Sequence, residues 1–213
     1  NGASSFTAPV ALSRAGAEVI AIANTPDGWN INDGVGSTHL DFLRNAVLKN
    51  GANVGIAHDG DADRCLAIDA TGAEIDGDVI MTILAKGFKA QGKLKANTIV
   101  GTVMSNLGFM HAMAESGIEV VTTAVGDRYV LEAMLKSDFN LGGEQSGHVI
   151  MRDHANTGDG LLTALQLLAE VKRSGQTLQE LSRVMVRFPQ VLINVKNVAK
   201  ERLATSNVIS DAV

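Results

Sequence analysis

Three aspartates separated by single small residues form the strongest chemical signal in the sequence. Asp59, Asp61 and Asp63 alternate within the segment HDGDADR, which lies between two short apolar runs. In a bulging loop, alternate side chains can point the same way, so three carboxylates can converge on one cation. Carboxylate oxygens favour hard ions such as Mg²⁺ or Ca²⁺. We therefore predict a metal site here, with Arg64 beside it to clamp a phosphate.

Three other interpretations of the acidic loop can be compared with this one. An EF-hand is excluded because the twelfth position counted from Asp59 is Ala70, where that loop needs a bidentate glutamate. A solvated acidic turn without any ion stays open. A phosphatase or phosphotransferase that uses its own aspartate as nucleophile also stays open, with Asp59 and Asp61 as candidates, but it would leave the next motif unexplained.

A glycine-rich segment at residues 142–148 is the second signal. It reads GGEQSGH, so Glu144, Ser146 and His148 stand two residues apart. If the segment is extended, alternation aims these three side chains to one side, where they suit the hydroxyls of a sugar. The glycines would let a ligand approach the backbone closely. We predict substrate binding by all three side chains, although a tight polar turn with no ligand is an equal alternative.

Two further turns precede predicted helices. In the segment AVGDRY, Gly126 and Arg128 stand at a helix start, where an anion can bind; Asp127 acting only as a helix cap is the simpler alternative. The segment TGDG at residues 157–160 precedes the longest helical pattern, and we interpret it first as a cap.

Composition limits the class of protein. The chain has 213 residues, 46% of them hydrophobic, with 18 basic and 23 acidic residues and a formal charge of −5. A core can be buried, and the charge does not favour nucleic acid. No membrane span or signal peptide is visible, and the single cysteine, Cys65, fits a cytoplasmic protein. An oligomer stays possible. Because the chain begins at Asn1 without a start methionine, we expect an excised segment of a longer protein.

Strand-like and helix-like patterns alternate along the whole chain, which predicts an α/β fold. We expect two α/β units with mixed, mostly parallel sheets sandwiched by helices. Their predicted bounds are 1–75 and 76–187, and residues 188–213 would begin an incomplete third unit. The predicted strands are 17–23, 54–57, 65–68, 98–103, 118–122, 139–143 and 191–195. The predicted helices are a short one ending near residue 15, then 38–50, 78–90, 107–115, 127–135, 160–174 and 177–184.

Several segments together resemble one enzyme family. DGDADR at residues 59–64 resembles the metal loop of the α-D-phosphohexomutases, and GEQSGH at residues 143–148 resembles their sugar-binding loop. With glutamine at position 145, this loop resembles the form found in the branch of the family that acts on glucosamine phosphates. Three more segments resemble the same branch: NINDGVGSTH at 30–39, GTVMSN at 101–106 and VGDRYV at 125–130. The likeness covers nearly the whole chain, in the family's order.

The resemblance implies a four-domain enzyme of which this chain is the middle. The family's first domain carries a phosphorylated serine and its fourth a phosphate-binding loop, and neither motif is found here. The first strand of the second domain would be missing too. The implied reaction converts glucosamine 6-phosphate to glucosamine 1-phosphate through a 1,6-bisphosphate, with Mg²⁺ as cofactor. Arg64 and His148 are the implied catalytic residues, and Glu144 and Ser146 would hold sugar hydroxyls.

Two departures from the family pattern bear on these expectations. Ala62 replaces the usual glycine of the metal loop, which would be harmless only at a negative φ. Ala124 stands where relatives often carry lysine, so one phosphate or sugar contact is expected to be absent. The choice of glucosamine rests on the resemblance alone. A phosphomannomutase/phosphoglucomutase of the same family and a non-catalytic phosphosugar-binding module are the alternatives.

Overall fold

The computed structural model describes residues 1–191, which form two β-sheets surrounded by helices. The helices are α1 (Thr7–Arg14), α2 (Asp41–Asn50), α3 (Gly77–Ala90), α4 (Leu107–Glu115), α5 (Asp127–Ser137), α6 (Gly160–Ser174) and α7 (Leu178–Ser182). The strands are β1 (Val54–His58), β2 (Cys65–Asp69), β3 (Glu74–Ile75), β4 (Thr98–Thr102), β5 (Glu119–Thr123), β6 (Leu141–Gly143) and β7 (Val149–Met151). Nearly all of the strand predicted at 191–195, and of the unit predicted at 188–213, lies outside the described residues.

The first sheet has the order β1-β2-β3, and both of its strand pairs are antiparallel. Two strands joined by a short loop can only pair this way, because a parallel pair needs a long crossover connection. The expectation of mostly parallel strands therefore does not apply to this sheet. His58 pairs with Cys65 at the end of the β1–β2 hairpin, which leaves residues 59–64 as its loop.

The second sheet has the order β5-β4-β6-β7. Strand β4 is parallel to both β5 and β6, and helices α4 and α5 form the crossovers between them. Strand β7 returns antiparallel to β6. Helix α5 covers one face of this sheet through Val130 and Met134, while α3 and α4 lie on the other. The predicted α/β class with mixed sheets between helices is confirmed.

One hydrophobic core joins the two sheets. Helix α3 contacts β2 of the first sheet and β6 of the second. Its residues Ile80 and Leu84 are fully buried in one cluster with Ala67 from β2 and Leu141 from β6. The division near residue 75 stays a prediction, and a continuous apolar core crosses it.

The structure departs from two predicted elements in the first unit. Residues 17–23 form no strand, and Ile20 is half exposed, because no strand among residues 1–191 lies beside them to share hydrogen bonds. Helix α2 begins at Asp41 rather than at residue 38, since the Ser37 N–H donates to the His58 carbonyl and holds the preceding loop on β1. Within residues 1–191, every helix is too short or too polar to traverse a bilayer.

Candidate metal and sugar site

The three aspartates of the β1–β2 loop converge. One carboxylate oxygen from each of Asp59, Asp61 and Asp63 lies within 4.8 Å of the other two. The loop keeps this shape through its own hydrogen bonds: the Arg64 N–H donates to the Asp59 carboxylate at 3.1 Å, and the Ala62 N–H donates to the Asp59 carbonyl at 3.3 Å. The three carboxylates are thus close enough to share one cation. Residues 59–64 are called the metal loop.

The electrostatics of the metal loop favour a bound cation. Burial raises the pKa of Asp63, and the hydrogen bond and charge of Asp59 raise it further. Asp63 Oδ1 is buried and has no hydrogen-bond partner within residues 1–191. A divalent ion would relieve the carboxylate repulsion and use the free oxygen. The all-oxygen donor set therefore fits a hard cation, as the chemistry of the residues predicts.

Arg64 lies between two of the aspartates and the solvent. Its Nε is 3.5 Å from Asp59 Oδ2 and 3.7 Å from Asp63 Oδ1, so both ion pairs are longer than good hydrogen bonds. Its side chain is 42% exposed and lines the cavity described below. The guanidinium is consequently able to turn toward an anion bound beside the metal loop.

The second motif forms the loop of the β6–β7 hairpin, here called the sugar loop (residues 144–148). It joins the metal loop through the backbone: His148 and Arg64 form an antiparallel β-bridge, and the Cys65 N–H donates to the Gly147 carbonyl at 3.0 Å. Gly147 has a φ of +93°, and a Cβ there would overlap the Cys65 carbonyl oxygen. This glycine allows the two hairpins to touch.

The side chains of the sugar loop do not share one face. Residues 145–147 turn instead of extending, so Glu144 and Ser146 line the cavity while His148 points to the metal loop. His148 Nε2 is 3.4 Å from Asp63 Oδ2, and its side chain is 5% exposed. The Ser146 hydroxyl is buried without a hydrogen-bond partner among the described residues. Its hydrogen-bonding capacity is therefore unused among these residues.

A cavity of about 600 Å³ lies beside the sugar loop and reaches the metal loop at Arg64. Part of its wall was not identified from the sequence: Asp76 and Arg187 form an ion pair there, and the Gln145 amide lies 3.4 Å from Asp76 Oδ2. Asp76 also caps α3 by accepting the Val79 N–H at 3.1 Å, a signal that the sequence does carry. The cavity is lined by Arg64, Leu66, Glu74, Asp76, Thr102, Met104, Val125, Glu144, Gln145, Ser146 and Arg187.

The predicted anion site at the start of α5 is only partly brought to the cavity. The Gly126 N–H donates to Glu144 Oε1 at 2.9 Å, so this turn orients the carboxylate of the sugar loop. Arg128 projects into solvent, with its side chain 81% exposed, and pairs with Glu132 on the same helix at 2.8 Å. Substrate binding by Arg128 stays a prediction, and its position gives it no support.

Comparison with known proteins identifies the family. The model "Phosphoglucomutase/phosphomannomutase, alpha/beta/alpha domain III" matches residues 76–188, and the corresponding domain II model matches residues 1–72. The first of these alone covers more than half of the chain. The chain belongs to the phosphoglucomutase/phosphomannomutase family.

Individual relatives of the chain are named phosphoglucosamine mutase. The chain is 60% identical over its full length to the phosphoglucosamine mutase of Streptomyces griseus, of which it covers 47%. It spans about half the length of the curated relatives it matches.

Solved structures support the fold. A phosphoglucomutase/phosphomannomutase family protein from Burkholderia thailandensis matches 90% of the chain and 42% of its own, with a TM-score of 0.78 and 23% identity. An N-acetylphosphoglucosamine mutase from Aspergillus fumigatus, solved in complex with GlcNAc-6P and magnesium, matches 65% of the chain and 34% of its own, with a TM-score of 0.54 and 20% identity.

Proposed function

We propose that this chain is the central part of a phosphoglucosamine mutase, which interconverts glucosamine 6-phosphate and glucosamine 1-phosphate through a 1,6-bisphosphate. The observation that carries the proposal is that the metal loop and the sugar loop meet at one cavity, with Arg64 and Glu144 in its wall. The 60% identity to the Streptomyces griseus phosphoglucosamine mutase over all 213 residues supports this substrate over other hexose phosphates.

In this proposal the metal loop holds Mg²⁺ through Asp59, Asp61 and Asp63. When bound, the ion would supply positive charge that stabilises the negative charge on the phosphoryl group during its transfer. Magnesium is supported by the hard oxygen donors and by the presence of magnesium in the Aspergillus fumigatus complex. The donor phosphoserine and a second phosphate-binding loop would come from parts of the protein outside this chain.

The cavity residues have separate tasks. Arg64 orients a phosphate group with its planar guanidinium, and Glu144 accepts hydrogen bonds from sugar hydroxyls on the carboxylate oxygen that Gly126 leaves free. Ser146 offers its unpartnered hydroxyl to the same sugar. Holding the sugar by its hydroxyls suits a mutase, since the same contacts can serve both orientations of the substrate. We propose the cytoplasm as its location, consistent with the free thiol of Cys65.

Metal binding gives the first test of this function. Asp61→Asn removes one negative charge from the triad, so we expect the Mn²⁺ or Mg²⁺ affinity measured by calorimetry to fall at least about tenfold. Asp41→Asn is the matched control, because Asp41 is an exposed aspartate that pairs with Arg44 on α2. Wild-type protein that binds neither ion, or equal affinities in all three proteins, would contradict the proposal.

Substrate choice is tested in the full-length protein. We expect kcat/KM for glucosamine 6-phosphate to exceed the values for glucose 6-phosphate and mannose 6-phosphate. A preference for mannose or glucose phosphate would assign the protein to another branch of the family while leaving the metal site intact.

A further inference from the structure

The turn before α6, residues 157–160, does more than cap a helix. Asp159 accounts for the capping, because its carboxylate accepts the Leu162 N–H at 2.9 Å. The two glycines that flank it are not needed for that task. Neither Gly158 nor Gly160 has a positive φ, so the reason for glycine at these positions is space and not backbone conformation. We call residues 157–160 the glycine turn.

Gly158 lies against the imidazole of His148. A Cβ on Gly158 would overlap Nε2 of that ring and lie 2.5 Å from its Cδ2. The backbone of Gly158 is fixed in turn by a β-bridge to Ile150 of β7. The Nε2 end of the ring therefore has two neighbours, the backbone of the glycine turn and the Asp63 carboxylate, whose Oδ2 lies 3.4 Å from Nε2.

Gly160 holds the middle of the metal loop. Its N–H donates to the Ala62 carbonyl at 2.9 Å. A Cβ on Gly160 would overlap the Arg64 carbonyl oxygen and approach His58 Nδ1 to 2.7 Å. The two glycines of one turn thus contact two parts of the site. Gly160 contacts the backbone of the metal loop, and Gly158 contacts His148, which faces Asp63.

We propose that the glycine turn is a positioning element for the metal site. Gly160 fixes the backbone of the metal loop, and Gly158 seats His148 so that the imidazole holds the Asp63 carboxylate in the orientation needed for the ion. His148 then acts through Asp63 as a positioning residue and does not touch the sugar. The metal itself rests on the proposed function. Partners that orient metal ligands in this way typically change metal affinity 10–100-fold when removed.

A double-mutant cycle tests the proposal. Gly158→Ala should displace the imidazole, and His148→Ala should remove it. We expect each variant to lower the Mn²⁺ affinity about tenfold by calorimetry. Because both changes remove the same contact, the double variant should lose about as much as either single variant. Losses that multiply to about a hundredfold, or an unchanged affinity in either single variant, would overturn the proposal. His148→Ala, which crowds nothing, keeps the test available if Gly158→Ala does not fold.

The matched control is Gly92→Ala. Gly92 has a φ of +67° with open space around it, so alanine there strains the backbone at a distance from the site. We expect it to lower the melting temperature and leave the Mn²⁺ affinity unchanged. If Gly92→Ala lowers the affinity as much as Gly158→Ala does, the effect is one of general stability and the proposal is wrong.

Crystal structures separate this proposal from the proposed function. Wild-type protein that binds no Mn²⁺ would end the metal assignment. Metal-free structures of the wild type and Gly158→Ala would still test the positioning, since the His148 ring should move away from Asp63 in the variant. A ring that keeps its wild-type place would reject the role of the glycine turn.

Discussion

At the scale of single residues, Ala62 is the strained point of the metal loop. Its φ is +65°, in the left-handed region that costs a residue with a Cβ roughly 1–2 kcal/mol relative to glycine. The family pattern expects glycine here, and the condition under which alanine would be harmless, a negative φ, is not met. The loop accepts this strain at the bend that brings the three carboxylates together.

Ala62→Gly should therefore stabilise the protein. We expect the free energy of unfolding, measured in urea, to rise by about 1 kcal/mol because glycine adopts this conformation without strain. The matched control is Ala46→Gly in the middle of α2, where the same substitution should cost about 1 kcal/mol. A loss of stability at both positions would show that the left-handed backbone of Ala62 carries no strain.

At the scale of elements, the starts of α3 and α4 meet around a buried carboxylate. Asp78 is fully buried, and its Oδ2 accepts the Asn106 N–H at 2.6 Å. Burial raises the pKa of Asp78 to about 6, the nearby charge of Asp76 adds to this, and the Asn106 N–H, Ser105 and Arg187 oppose it. Asn106 also accepts the Phe188 N–H at 2.9 Å, which ties residues near 188 to the same place.

This buried carboxylate should make stability depend on pH. Its pKa is about 6 when folded and 3.8 in the reference state, so the folded protein keeps the proton longer. Ionisation then lowers stability as pH rises from about 4 to about 6, and the full penalty applies above that range. Asp78→Asn stays neutral, and its unfolding free energy relative to wild type should rise by roughly 2–3 kcal/mol between pH 4 and pH 7.5.

The pH test has an internal control. Asp27 is exposed, and backbone hydrogen bonds from Trp29 and Asn30 lower its pKa from the ordinary value of 3.8. The difference between Asp27→Asn and wild type should be flat from pH 4.5 to 7.5. A flat difference for Asp78→Asn over the same range would contradict the assignment.

What the sequence predicted was local in the chain. Helices α4 and α6 have the predicted bounds because an N-cap and a glycine mark the two ends of each. A capping box of Thr177 and Glu180 marks the start of α7, which is shorter than the predicted helix 177–184. The acidic triad was visible because its residues stand within five positions.

What the sequence missed depends on distant partners. Strands β3 and β7 have two and three residues, too few for an alternating pattern. Arg187 meets Asp76 across 111 positions of the chain, and no short motif announces such a pair. Residues 17–23 have strand composition, but composition alone supplies no neighbour to bond with.

At the scale of the whole molecule, the two sheets share one hydrophobic core, so we expect them to unfold as one cooperative unit. Ile80 of α3 is fully buried in the cluster that contains residues of both. Ile80→Ala should lower the free energy of unfolding by about 2–5 kcal/mol. Amide hydrogen exchange should show the same loss in β2 and β4, because both open with the core. The exposed Val10→Ala on α1 is the control and should change neither strand.

Amide hydrogen exchange in β2 of the Ile80→Ala variant shows whether the two sheets unfold as one cooperative unit or as two. Weakened protection in β4 with unchanged protection in β2 would show that the sheets unfold separately, as the predicted division near residue 75 suggests.

The backbone bridge between Arg64 and His148 limits how far the metal loop and the sugar loop can move apart, which matters for ligand design. On the proposed function, a fragment that chelates the metal at the aspartates and a pyranose held by Glu144 would lie at a separation that this bridge helps to fix. Tethering the two with a stiff spacer of that span would turn the second encounter into an intramolecular one at high effective concentration. A flexible spacer would lose most of the affinity gained by linking the two fragments. The stiffness of the spacer should therefore determine the affinity of such linked ligands.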